Sequence, residues 1–123
     1  MIKKFTQFFL FIVLSFSALA QGTESFTNIP STGTSYGTRL WTGDNGLDWN
    51  ATDARNDQTI NGKAIAIRNG NVNCQQIPNG IGSLTFTHQQ VFTGSNPVLD
   101  VYVNSLKVGT VSPTTTATPS TIS

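Results

Sequence analysis

Apolar and polar residues alternate more regularly along residues 80–111 than anywhere else in the chain. Leu99, Val101 and Val103 share one face at period two while Asp100 and Tyr102 take the other, the mark of a strand with one covered side. After Asn104 and Ser105 the chain runs on through Leu106, Val108 and Thr110, which predicts a hairpin closed by a two-residue turn. Upstream, Leu84, Phe86 and His88 alternate with Thr85 and Thr87 as a third strand. Residues 39–42 and 47–50 read as strands on either side of the turn formers Gly43, Asp44, Asn45 and Gly46. In the second of these Leu47 and Trp49 face one way, Asp48 and Asn50 the other. A short opening strand is expected over residues 24–27. A further strand, buried on both faces, is expected over 63–68 after the Asn61-Gly62 turn, and a weaker one over 72–77. No segment of about ten residues has the helical period. Short strands with turn signals every ~8–12 residues predict an all-β, antiparallel β-sandwich rather than a fold of alternating strands and helices.

The two ends of the chain break this pattern. Lys3 and Lys4 precede the apolar run from Phe8 to Leu14, and Ala18-Leu19-Ala20 is a small-residue cleavage site. Residues 1–20 therefore read as a signal peptide; the apolar run falls short of the ~20 residues a membrane span needs. The expected location is secreted or cell-surface, with the periplasm as an alternative. Residues 21–111 form the expected sandwich domain. Residues 112–123, SPTTTATPSTIS, offer almost nothing to bury and read as a linker or tail.

Composition narrows the function classes. Of the seven basic residues, Lys3 and Lys4 belong to the leader, which leaves five against six acidic residues and a net charge of about −1. No basic footprint for nucleic acid exists in that balance. Five of the eight Phe residues also fall within the leader, so the folded part is poorer in aromatics than the whole chain. The single cysteine, Cys74, excludes an internal disulfide, so the fold must stand on packing.

Several short motifs, taken in order, point further. They are Glu24-Ser25-Phe26, Trp41-Thr42-Gly43-Asp44-Asn45-Gly46, Trp49-Asn50, Ala54-Arg55 and Ile60-Asn61-Gly62-Lys63-Ala64. Gly80-Ile81-Gly82-Ser83-Leu84 and Val101-Tyr102-Val103-Asn104 complete the set. Together they resemble an accessory domain at the N-terminal side of multidomain secreted bacterial proteins, many of them type IX secretion substrates carrying nucleases or adhesion modules. The resemblance covers residues 24–111 and implies a jelly-roll-like sandwich without catalytic residues. Two departures stand out: Ser105 occupies a position usually held by Gly, and the closing strands of the family are replaced by the Thr-rich tail. The resemblance thus implies a sandwich incomplete at its C-terminal end, with an exposed edge.

Candidate chemistry concentrates between Trp41 and Asp57. Trp41 and Trp49 offer flat faces for sugar rings, and Asp44, Asn45, Asp48, Asp53, Arg55 and Asp57 offer hydrogen bonds to hydroxyl groups. Trp41 with these six polar residues is the expected ligand-binding set, and Trp49 is the tryptophan expected in the core. The same oxygen-rich stretch raises Ca²⁺ as a ligand, but it does not match the EF-hand spacing, so no metal residue is assigned. No other cofactor is implied. His88 is the only histidine and has no carboxylate beside it, so no catalytic residue is assigned either. The expected function is an exported, non-catalytic module binding glycan or surface polymer. The alternative is a structural spacer or interaction domain of a larger secreted enzyme or adhesin.

Overall fold

A computed structural model describes residues 22–75, 77–94 and 96–123. The expected leader lies outside these residues. Every regular element among them is a strand and every pairing is antiparallel. The sheets are small and open, one of four strands and two of two.

β1 (Gly37–Thr42) and β2 (Asp48–Arg55) form a hairpin in which Trp41 pairs directly with Trp49. Its turn is closed by the Gly43 N–H donating to the Leu47 carbonyl at 2.8 Å. β3 (Ala66–Ile67) pairs with the end of β2, and β4 (Val72–Cys74) pairs with its beginning. The two behave as one strand interrupted by residues 68–71, which bulge opposite Thr52 and Asp53. Asp53 adopts a φ of 46°, which resets the side-chain alternation. Ala51 and Ala54, which a regular strand would place on opposite faces, are consequently both fully buried on the same side. The strand expected over 63–68 is cut to two residues because Thr59 to Lys63 close a tight loop first, with Thr59 bridging to Lys63.

The core is small: Ile29, Trp41, Ala51 and Ala54, flanked by Phe26, Trp49, Ile65, Ile67 and Val72. Residues 24–32 cover it as an irregular strap, not as the expected opening strand. The Glu24 carboxylate accepts the Phe26 N–H at 2.9 Å and bends the chain, and Phe26 takes a φ of 59°. Asn56, which the sequence pattern does not single out, staples the far end of the strap. Its side chain accepts the Thr32 N–H at 3.0 Å and donates to the carbonyls of Ile29 and Pro30 at 3.1 and 3.2 Å. Buried polar groups are tolerated when satisfied this completely.

In the C-terminal half β5 (Leu84–His88) pairs with β8 (Thr118–Ile122), and β6 (Leu99–Val103) pairs with β7 (Leu106–Val111). β8 lies where a linker or tail is expected. A segment with almost no apolar residues is held there by its backbone ladder and by hydroxyl pairs such as Thr85–Thr121 at 2.8 Å. Ile122 packs over Gly109, where an added Cβ would come within 2.6 Å of the Ile122 methyl.

The β6–β7 turn has φ of 49° at Asn104 and 66° at Ser105, so both central residues are left-handed, the type I′ geometry that matches strand twist. Ser105→Gly relieves a side chain from that conformation and should stabilise the fold by about 1 kcal/mol. A rise in melting midpoint of ~5 °C would report it. Beyond the turn a register shift leaves Val108 without a direct partner, so the alternation expected through Leu106, Val108 and Thr110 is broken. Leu106 and Val108 stay exposed, as do Leu84 and Tyr102.

Candidate functional site

The seven residues expected to bind ligand fall into separate places. Trp41 is 6% exposed and stacks on Trp49 with ring centroids 5.9 Å apart and planes 10° from parallel. Phe26 meets both indoles edge-on, at 6.1 and 6.4 Å. Trp41 also donates its Nε1–H to Glu24 at 3.1 Å. Trp41, expected at the ligand surface, is therefore the more buried of the pair, while Trp49, expected in the core, is half-buried. The reason is the strap, which lays Glu24 and Phe26 over Trp41 from outside the strand pattern. The Trp49 indole N–H is buried with no hydrogen-bond partner among the described residues.

Asp44 serves the same strap, accepting the Ser25 N–H at 2.9 Å, while its own N–H donates to Glu24 at 3.0 Å. Asn45 accepts the Leu47 N–H at 3.3 Å within the turn. Asp48 accepts the Thr42 hydroxyl at 2.9 Å and lines a shallow depression with Leu40, Trp41, Thr42 and Gln75. These oxygens are engaged in local structure, as Asp and Asn commonly are in turns. No group of three or more His, Cys, Asp or Glu side chains among the described residues is placed to share a metal ion.

Asp53, Arg55 and Asp57 do come together, at the opposite end of the sheet, with partners the sequence reading did not include. Gly37 at the start of β1 pairs with Ala54, so Tyr36, just before β1, sits beside Arg55 at the end of β2. Arg68 follows β3 and is drawn in by the bulge. Its N–H donates to the Asp53 carbonyl at 3.1 Å. Both guanidinium groups lie over the Tyr36 ring, Arg68 at 4.6 Å and Arg55 at 5.2 Å from its centroid. Arg55 also lies 5.3 Å from the centre of the Phe92 ring. Phe92 is held by Gln90, whose side chain donates to the Phe92 carbonyl at 2.8 Å and whose N–H donates to the Thr114 carbonyl at 2.7 Å.

Each guanidinium is oriented by a two-pronged carboxylate contact. Arg55 donates Nε and Nη2 to Asp57, both at 2.5 Å, and Arg68 donates the same atoms to Asp53 at 3.1 and 2.8 Å. Such forks fix the plane of the guanidinium, which a lysine could not do. The Arg55 guanidinium holds the Asp57 carboxyl well below the usual carboxylate range, at about 2. Arg68, aided by the Asn69 N–H at 3.0 Å, lowers Asp53 as well. Both arginines are correspondingly raised, each chiefly by the hydrogen bonds to its aspartate.

A carboxyl with a depressed folded-state pKa contributes stability that is complete above the unfolded value of ~3.9. That contribution disappears as the pH falls through the folded value. The melting midpoint should thus hold steady above pH ~5 and fall between pH ~4 and ~2. Asp57→Asn should flatten that fall in a thermal melt series, and an unchanged acid limb would show that the Arg55 pair contributes nothing.

The signals for the missed residues were faint. Tyr36 is the one large side chain of its loop and Arg68 closes a predicted strand, but nothing local marks Phe92. Elsewhere, Cys74 pairs across from Trp49 and is half-buried, and burial pushes its thiol pKa up. His88 is buried, with Nε2 and the Ser120 hydroxyl 2.8 Å apart. Its Nδ1 has no partner among the described residues. Comparison with known proteins finds no matching family model, no significant match among curated proteins and none among solved structures.

Proposed function

We propose that this chain is an exported, non-catalytic β-module, jelly-roll-like in its larger plan, that binds glycan or a surface polymer. Its binding surface is the face made by Tyr36, Arg55, Arg68 and Phe92. The observation that carries this reading is the pair of guanidinium groups over one aromatic ring, each locked by an aspartate, with a second ring at the margin. A sugar presents an apolar C–H face ringed by hydroxyl groups. The exposed Phe92 ring takes the face, and fixed donors and acceptors around Tyr36 take the hydroxyls. The resemblance to secreted accessory domains supports the same reading. The non-catalytic part follows the same resemblance, which implies no catalytic residues.

Native gel electrophoresis through immobilised polysaccharides tests the proposal. Phe92→Ala and Tyr36→Ala should each weaken retardation about tenfold, equivalent to ~1.4 kcal/mol. Retardation that survives both substitutions would remove this face as the site.

The reading of the chain as a spacer or interaction domain is favoured by a different observation. Leu84, Tyr102, Leu106 and Val108 are exposed on two-stranded ribbons, and such ribbons are marginal alone. Concentration-dependent association in light scattering would support it.

A further inference from the structure

Resting on that reading, we infer that the ligand is an uncharged glycan and that the two arginine–aspartate forks are what select against acidic and basic polymers. The face carries two guanidinium groups and two carboxylates, each directed at its counterpart through paired hydrogen bonds. Arg39, the other cation nearby, is turned inward. Its Nε donates to the Ala54 carbonyl at 3.1 Å and its Nη2 to the Ser35 carbonyl at 2.8 Å, so it fastens the Tyr36 loop.

A uronate or sulfate group approaching Arg68 meets the Asp53 carboxylate already on that guanidinium. Two like charges there are unfavourable, and displacing Asp53 would also release the Asn69 N–H it holds. A cationic polymer meets the two guanidinium groups in the same way. A neutral hydroxyl is repelled by neither, since it donates to the carboxylate lone pairs left over and accepts from guanidinium N–H groups. Arg68 remains 60% exposed and Phe92 52% exposed, so both the hydrogen-bonding edge and the apolar ring stay within reach of a ligand. The balance of charge on the face matches the near-neutral balance of the chain without its leader. Long-range attraction therefore does not draw in polyanions.

The experiment uses the chain without residues 1–20 in native gels containing a neutral glucan, a neutral glucomannan, alginate or dextran sulfate. The expected result is retardation by at least one neutral polymer and none by the acidic ones, unchanged as salt is raised from about 0.05 to 0.5 M, where charge interactions are screened. A double substitution, Asp53→Asn with Asp57→Asn, makes the face cationic and should create retardation by dextran sulfate at concentrations about tenfold below the highest at which the parent shows none, while circular dichroism shows the fold retained. Salt-sensitive retardation of the wild type by the acidic polymers alone would overturn the inference and leave polymer binding standing. Retardation by no polymer at all would overturn the binding reading itself. Failure of the folded double variant to gain dextran sulfate would show that the forks do not set the charge preference.

Discussion

Trp41→Ala should unfold much of this domain, costing about 3–5 kcal/mol, the range for removing a buried aromatic side chain. Trp41 is one of very few large side chains at the centre of the core, stacked on Trp49 and edged by Phe26. Its indole N–H also anchors Glu24, and Glu24 in turn receives the N–H groups of Phe26 and Asp44. Losing the ring opens a cavity between the strap and the sheet and loosens the strap itself. A native domain of ~100 residues has only about 5–15 kcal/mol to lose. Urea denaturation followed by far-ultraviolet circular dichroism should show the midpoint falling sharply. A variant as stable as the parent, with only polymer binding lost, would instead restore Trp41 to the ligand surface.

Gly70→Ala is the second large effect, expected at about 2–3 kcal/mol as an overpacked site with rigid surroundings. The Gly70 backbone lies outside the left-handed region, so the requirement is one of space. A Cβ at this position would overlap the Thr52 carbonyl oxygen, which is backbone and cannot swing away. That approach is enforced on both sides of the bulge. The Thr52 N–H donates to the Asn71 carbonyl at 2.9 Å, and the Asn71 N–H donates to the Thr52 hydroxyl at 3.1 Å. Moving the two chains apart breaks this closure and draws Arg68 away from Asp53 and Tyr36. The variant should therefore show a lower denaturation midpoint together with weakened polymer retardation. Wild-type values for both would mean that the bulge adapts without cost.

The strands that could be read directly are those with a covered and an open face. Leu99, Val101 and Val103 announce β6 because each must avoid water on the same side, and Asn104 marks the turn because it tolerates a left-handed backbone. β8 gave no such signal. Thr118 to Ile122 bury little, and their order comes from a ladder to β5 30 to 38 positions earlier, as in Thr85–Thr121. The burial of Trp41 beside Trp49 was hidden for a related reason. Within the β1–β2 hairpin Trp41 and Trp49 are equivalent cross-strand partners, and only the strap decides which is covered.

From the sequence alone came the all-β, antiparallel character, the hairpin at residues 99–111 and the charged alternation of Asp53, Arg55 and Asp57. These follow from preferences that act over a few residues: side-chain alternation, turn chemistry and the absence of a helical period. The tertiary structure alone decided that Trp41 is core, that Tyr36, Arg68 and Phe92 join the charged residues, and that Arg68 pairs with Asp53. Those contacts depend on strand register and on a bulge made by two separate segments, and a one-residue slip in either would point the same side chains elsewhere.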